Sequence, residues 1–174
     1  MTSRSTNSWL WALLINVALA QASIYVMRPM ITYRALENGA SGYEIGLIAS
    51  IYALLPLLIA VPMGRWVGRF GEIPLLFIGC FSFIILGVAF AFLNNFIAIA
   101  AATALAGVAH LSNVAASQAM VANRSAMNLQ DQNFGYFSFA TSLGHSVGPI
   151  LGGLIAGSAG VLPRSSTSAF IFAA

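Results

Sequence analysis

The chain has 174 residues, of which 59% are hydrophobic and only 6% are charged, with a formal net charge of +3 at pH 7. Soluble domains carry about 25% charged residues, so this composition excludes a water-soluble domain and predicts an all-α membrane protein. Every basic residue is an arginine and none are clustered, which excludes a nucleic-acid-binding surface. The single cysteine, Cys80, excludes an internal disulfide, and its apolar surroundings predict a small buried side chain without a redox or metal role.

The first apolar run begins at Trp9 and Trp11, which suit the headgroup region of a bilayer. A cleaved signal peptide is the alternative, because Arg4 precedes an apolar stretch that ends in the small-residue pattern Ala18–Ala20. The apolar character continues to Met30, and further spans follow, so we interpret this run as a membrane helix.

Four more apolar runs predict further crossings, since about 20 apolar residues span a bilayer. Ser41 and Glu44 have the spacing of a capping box at the start of the second helix, and Asn94-Asn95 predicts a tight turn before the fourth. The run after Pro163 stops after six residues, which predicts that the chain ends within a sixth helix. The predicted helices cover about residues 9–30, 41–63, 74–93, 96–121, 134–159 and, incompletely, 168–174.

The arginine distribution predicts the orientation, because cytoplasmic loops are enriched in Lys and Arg. With the N-terminus inside, the cytoplasmic arginines are Arg4, Arg65, Arg69 and Arg124, while Arg34 and Arg164 lie outside and Arg28 lies near that face. We therefore expect a multi-pass protein of a bacterial inner membrane with a cytoplasmic N-terminus.

Residues 64–74 form a short basic segment, rich in glycine, that is predicted to be a loop between helices 2 and 3. It resembles the loop signature of the major facilitator superfamily at the positions Gly64, Arg69 and Gly71. Gly68 stands where the family usually has Asp, and Glu72 where it usually has a basic residue. In the family this loop helps to hold the two halves together, so these departures imply a weaker or rebuilt contact. Two arginines that anchor a cytoplasmic turn are the alternative interpretation.

Glycines recur with a regular spacing along the predicted fifth helix. The positions Gly135, Gly144, Gly148, Pro149, Gly152 and Gly153 resemble the helix 5 motif of drug/proton antiporters in the same superfamily. Glycines four residues apart form a smooth strip that lets another backbone approach closely, and Pro149 removes one backbone hydrogen bond. Static helix packing is the alternative explanation of this pattern.

The resemblance to the major facilitator superfamily implies about twelve helices in two halves, with inverted three-helix repeats in each half and the substrate at the midplane. This chain is then the N-terminal half, residues 1–174, with five complete helices and the start of a sixth. The expected partners are a small-molecule solute, a proton or another coupling ion, the lipid bilayer and the missing C-terminal half. No cofactor or metal is expected.

Polar side chains within the predicted spans are candidates for a substrate pathway, because such groups usually face the protein interior or a water-filled cavity. On helix 4, His110, Asn113 and Ser117 share one face. His110 is predicted to bind substrate or a proton, since imidazole ordinarily titrates with a pKa of about 6.5. The alternative for His110 is a hydrogen bond that only supports helix packing. For His145 the sequence allows either a gating contact or a packing hydrogen bond.

A second polar stripe, Gln21, Tyr25 and Arg28, follows helix 1. Arg28 either binds an anionic group or extends to the headgroups, and Asn16, on another face of helix 1, suits either a pathway or a packing role. All four acidic residues fall in loops or at helix starts: Glu37, Glu44, Glu72 and Asp131. A carboxylate proton carrier is therefore expected in the missing half, unless His110 takes that role.

The leading hypothesis is secondary transport of a small organic or drug-like solute by alternating access, with proton-coupled export. A non-transporting membrane scaffold or an oligomeric channel is the alternative. An enzyme is not expected, because Ser146 and His145 are adjacent on one helix and so do not face each other, and no zinc-spaced His cluster or carboxylate pair is present.

Overall fold

The computed structural model describes residues 8–158, with side chains described as far as Leu154. This part of the chain forms five long helices, a short 3-10 turn at Met127–Leu129, and no strand. The helices are α1 (Ser8–Glu37), α2 (Gly42–Phe70), α3 (Glu72–Phe92), α4 (Phe96–Arg124) and α5 (Gln130–Ser158). The predicted sixth helix, Arg4 and Arg164 lie outside the described residues.

Four helices, α1 to α4, are long and apolar enough to cross a membrane. The predicted all-α membrane bundle is therefore confirmed, and the protein is a multi-pass membrane protein. α5 has 29 residues but is not one of these four, so its crossing stays a prediction. The connections between helices are short, so consecutive helices run in opposite directions.

Side-chain caps define the start of two helices. The Ser41 hydroxyl accepts from the Glu44 N–H at 3.3 Å, and the Glu44 carboxylate accepts from the Ser41 N–H at 2.7 Å. The predicted capping box is thus confirmed, with both donors satisfied at an otherwise open helix end. Asn95 caps α4 by accepting from the Ile97 N–H at 2.8 Å, which ends the predicted Asn94-Asn95 turn.

α1 remains helical through Pro29 and extends beyond its predicted end at Met30 to Glu37. The added turns are held by Arg34, which donates to the carbonyl oxygens of Ala91 and Leu93 and to Asn94 Oδ1 at 2.9–3.1 Å. These bonds satisfy acceptors that the end of α3 leaves without helical partners. A contact between residues so distant in sequence is not visible in the apolar pattern.

The predicted loop 64–74 is wrong, because α2 continues through Phe70 and α3 begins at Glu72. Gly64, Gly68 and Arg69 are therefore helical, and Pro74 is the third residue of α3 rather than the first. Only Gly71 separates the two helices, with a φ of 84° that few L side chains adopt. The last turn of α2 carries Arg69, whose positive charge favours a helix C-terminus.

α1 and α4 form the centre of the bundle. α1 packs mainly against α5, α4 packs against α2 and α3, and α1 and α4 contact each other. Ile24 and Met27 of α1 are fully buried together with Phe90 of α3. The outer surface is apolar, as expected where lipid is the solvent, and on α2 it includes Leu54, Leu57, Leu58 and Val61.

Candidate functional site

A polar cluster lies at mid-depth in the bundle. His110 is 14 residues from the start of α4, which places it about 21 Å along a helix about 43 Å long. Gln21 on α1 and His145 on α5 are at similar distances from the starts of their helices. Three helices thus bring one polar side chain each to the same level.

These side chains form a hydrogen-bonded chain across four helices. The Tyr52 hydroxyl of α2 lies 2.8 Å from His110 Nδ1, and His110 Nε2 lies 3.1 Å from Gln21 Oε1. His145 Nε2 lies 3.2 Å from the same Gln21 oxygen. Gln21 is 4% exposed, so its carboxamide is a buried connection between the two imidazole rings.

The orientation of the Gln21 carboxamide, with Oε1 facing both rings, sets where the hydrogens lie. A carboxamide oxygen only accepts, so both imidazoles carry a hydrogen on Nε2. In neutral His110 the Nδ1 atom then accepts from the Tyr52 hydroxyl. If His110 binds a proton, Nδ1 becomes a donor and the Tyr52 hydroxyl must rotate to accept. The cluster therefore has two hydrogen-bond arrangements that differ by one proton.

Aromatic rings and one arginine surround this chain. The Tyr25 and His145 rings have centroids 4.2 Å apart, and Phe83 lies 6.5 Å from the His110 ring. The Arg28 guanidinium lies 4.7 Å from the centroid of Tyr52 and 5.8 Å from that of Tyr25. The predicted stripe Gln21, Tyr25 and Arg28 thus faces the same cluster as His110.

Close packing of α5 on α1 positions His145. A methyl group at Gly144 would lie 2.5 Å from a carbonyl oxygen of α1 and 2.6 Å from Gln21 Cβ. At Gly148 it would lie 2.7 Å from another α1 carbonyl oxygen and 2.8 Å from Tyr25 Cβ. Only glycine allows this approach, and the approach brings His145 within hydrogen-bonding distance of Gln21.

The other glycines of the α5 motif are less constrained. A methyl group at Gly152 would be 3.6 Å from Val26, an ordinary van der Waals contact. Gly135 and Gly153 have no atom of the described residues within 4 Å of such a group. The strip is therefore tight at two positions only. α5 remains helical through Pro149.

A second polar group lies between α1, α3 and α4. Asn16 Nδ2 donates to Cys80 Sγ at 3.0 Å, and Asn113 Nδ2 donates to Asn16 Oδ1 at 3.4 Å and to Cys80 Sγ at 3.5 Å. The prediction that Cys80 is a small buried hydrophobic residue is wrong, because Cys80 is half-buried and its sulfur accepts from two amides. Asn113 joins this group and not the His110 cluster.

Ser117 is fully buried, and its hydroxyl has no hydrogen-bond partner among the described residues. Ser117 was predicted to share one helix face with His110, but among the described residues it forms no hydrogen bond with the other predicted pathway residues.

Tyr52 was not predicted as a site residue, because a tyrosine in an apolar helix is common and only its hydroxyl contact distinguishes it. A second missed residue is Gly107, which packs against the Tyr52 carbonyl oxygen and Pro56.

At the α2–α3 junction the glycines have a different environment. Gly64 and Gly68 face no atom of the described residues within 4 Å. Glu72 lies in the first turn of α3, where its charge favours the helix N-terminus. It also accepts from Asn123 Nδ2 of α4 at 2.7 Å, which ties the start of α3 to the end of α4.

Apolar membrane helices around a buried polar cluster are typical of a membrane transport protein. A sequence profile described as Major Facilitator Superfamily matches residues 13–174. The chain therefore belongs to the Major Facilitator Superfamily, and the family predicted from the two glycine motifs is confirmed.

Several named relatives are efflux or resistance proteins. Multidrug resistance protein 1 of Bacillus subtilis is 27% identical over 94% of this chain and 42% of its own length. Efflux pump azaK of Aspergillus niger is 26% identical over 78% of the chain and 30% of its own length. Quinolone resistance protein NorA of Staphylococcus aureus is 24% identical over 86% and 39%. The chain thus spans less than half the length of these relatives.

Proposed function

We propose that this chain is the N-terminal six-helix half of a secondary transporter that exports a small organic or drug-like solute in exchange for protons. The observation that carries the proposal is the mid-depth, partly buried chain Tyr52, His110, Gln21 and His145. Polar residues at this depth are costly in lipid and mark solute or proton pathways. The names of the relatives, which include multidrug resistance and efflux, support export of a drug-like solute.

The proposed topology places the N-terminus in the cytoplasm of a bacterial inner membrane. Arg65, Arg69 and Arg124 then lie at the cytoplasmic ends of α2 and α4, in accord with the positive-inside rule. α5 crosses the membrane as the fifth helix, and the chain continues into a sixth.

The proposed transport cycle is alternating access, in which the two halves move about a site between them. The tight contact at Gly144 and Gly148 supports this proposal, because two smooth backbones can shift against each other without interlocked side chains. Such a shift would move His145 relative to Gln21, and so would change the polar chain that lines the site.

His110 is the proposed proton carrier of this half. Its two ring nitrogens already have partners, and rotation of the Tyr52 hydroxyl satisfies Nδ1 in both protonation states. The other charged or titratable groups that face it are Arg28, Tyr25, Tyr52 and His145. No acidic side chain lies in this cluster, since all four occur at helix ends.

The proposed solute pathway also includes Asn16, Asn113 and Ser117. Asn16 lies about 7 Å from Gln21 along α1, towards the N-terminal end of that helix. The two amides therefore extend the polar part of the bundle from the His110 cluster towards the proposed cytoplasmic side. The pathway residues are Asn16, Gln21, Tyr25, Arg28, His110, Asn113 and Ser117.

The proposal is tested with the complete protein in everted membrane vesicles that carry an imposed proton gradient. His110→Ala removes two partly buried hydrogen bonds, each worth about 1–3 kcal/mol where a buried partner is left unsatisfied. We expect solute flux to fall about tenfold or more and to lose its dependence on pH. Gln118→Ala, an exposed position of the same helix, is the matched control.

Two results would overturn parts of this proposal. Flux and pH dependence that are unchanged in His110→Ala would remove His110 from the mechanism. A correctly inserted wild-type protein that moves no solute under any imposed gradient would instead favour the scaffold or channel alternative.

A further inference from the structure

We propose that Arg28 is the binding site for a carboxylate group of the exported solute. This inference rests on the proposed transport function and deepens it, because it names the chemical class of the solute. The evidence is the position of the guanidinium over two aromatic rings, its lack of an acidic partner and the cavity beside it.

The Arg28 side chain is exposed on the C-terminal part of α1. It precedes the end of α1 by nine residues, about 13 Å. Its guanidinium lies over the rings of Tyr25, one turn deeper on α1, and Tyr52, about 15 Å from the start of α2. The two aromatic rings therefore fix the position of the Arg28 guanidinium.

The positive charge of Arg28 has no acidic partner. The acidic side chains of the chain are elsewhere, with Glu37 bonded to Arg34 and Glu72 bonded to Asn123. Glu44 caps α2, and Asp131 begins α5. An anion that enters the site would therefore pair with a charge that the described residues leave without an acidic partner.

The N–H groups of Arg28 are available to such an anion. The contacts with Tyr25 and Tyr52 use the flat face of the guanidinium, and none of its N–H groups is hydrogen-bonded within residues 8–158. The guanidinium edge has the donor spacing that matches the two oxygens of a carboxylate. Stacking restricts the orientation of the group without using its donors.

A cavity of about 260 Å³ lies against Arg28 between α1, α2 and α4. Its lining includes the hydroxyl-bearing residues Thr32, Tyr52 and Thr103. The Thr103 hydroxyl donates to the Ile99 carbonyl oxygen at 2.7 Å, so it has no hydrogen left to donate to a carboxylate, which leaves Arg28 as the main donor. Apolar residues Ile31 and Ile48 complete the lining, which suits a carboxylate attached to an apolar ring.

The His110 cluster adjoins this cavity, because Tyr52 both lines it and contacts His110. A carboxylate on Arg28 would therefore lie one residue away from the proposed proton carrier. Solute charge and proton binding would then be coupled through Tyr52, which ties this site to the proposed transport cycle.

The experiment measures binding of two near-isosteric probes, 9-anthracenecarboxylate and 9-anthracenecarboxamide, to the complete protein in nanodiscs of zwitterionic lipid. Hydrogen bonds to charged groups contribute about 1.5–3 kcal/mol, so we expect the carboxylate to bind about tenfold or more tightly than the carboxamide. Arg28→Gln should abolish this preference, and Arg28→Lys should retain part of it. The matched control is Arg65→Gln, because Arg65 is an exposed arginine near the C-terminal end of α2 and far from the cavity.

Three results would overturn the inference: no binding of the carboxylate, equal affinity for both probes, or a preference that persists in Arg28→Gln. Nanodiscs with phosphatidylglycerol distinguish a lipid headgroup from a solute, because competition by this lipid would assign Arg28 to the headgroup. Equal losses of carboxylate and carboxamide flux in Arg28→Gln would instead indicate a structural ion pair with the other half.

The two proposals fail in different ways. If the transport function is wrong, wild-type vesicles move neither probe under a proton gradient, whatever the binding preference. If only the Arg28 inference is wrong, the vesicles export solute but show no dependence on the carboxylate charge.

Discussion

The two glycine-rich motifs of this chain have different physical roles. On α5, a methyl group at Gly144 or Gly148 would lie within 2.5–2.8 Å of atoms of α1. On α2, a methyl group at Gly64 or Gly68 would meet no described atom within 4 Å. Close packing therefore requires glycine in the α5 motif, whereas no contact among the described residues requires it at Gly64 or Gly68 in the α2 motif.

This difference indicates where each motif acts. The α5 glycines hold α1 and α5 together and place His145 beside Gln21, so their effect lies inside the described helix bundle. The α2 glycines leave an open surface at the end of the helix, as expected if that end meets another part of the protein. Gly71 is a third case, because its backbone angles and not its contacts require glycine.

The largest effect is expected for Gly148→Leu. The added side chain would meet the α1 backbone at 2.7 Å, where neither helix can move aside without losing the contact. Overpacking of this kind costs about 3 kcal/mol, so we expect a clear loss of thermal stability and of transport. Thermal unfolding of the complete protein in detergent, followed by the fluorescence of a thiol-reactive dye, measures the first effect.

Gly152→Ala is the matched control for that prediction. Its methyl group would make an ordinary contact with Val26 at 3.6 Å, so stability should change by less than about 1 kcal/mol. If Gly148→Leu and Gly152→Ala unfold at the same temperature as the wild type, the α1–α5 contact is not the reason for these glycines.

A smaller loss is expected for Gly71→Ala, about 1–3 kcal/mol, because a φ of 84° with a ψ of 168° is accessible almost only to glycine. No neighbouring atom opposes the new methyl group, so the whole cost is backbone strain. Chemical denaturation of the complete protein measures it. An unchanged midpoint would show that the α2–α3 junction adopts another conformation.

The fold class was predictable because lipid requires each spanning segment to satisfy its own backbone, which leaves a strong apolar pattern. Helix ends were less predictable. α1 extends to Glu37 because of bonds from Arg34 to the end of α3, and α2 continues through the segment that its glycines and arginines predicted as a loop. Both errors arise from contacts or motifs that local apolarity does not describe.

The members of the site were partly predictable, and their grouping was not. His110 and Asn113 were expected on one face, yet three residues rotate a helix by about 300° and leave about 60° between them. That angle is enough for His110 to meet α1 and α2, while Asn113 meets Asn16 and Cys80. Which helix lies opposite each face depends on packing, which one sequence does not reveal.

The smallest effect on stability is expected for Gly68→Ala. The new methyl group enters open space in a helical segment, and alanine reduces the entropy of the unfolded chain, so stability should be unchanged or rise by about 0.4–1 kcal/mol. Gly64→Ala, one turn earlier on α2, should behave alike in the same denaturation experiment. A transport defect in a variant of normal stability would locate the role of the motif in contact with the other half. A loss of stability above about 1 kcal/mol would contradict the comparison, because it would show that these glycines are packed as tightly as those of α5.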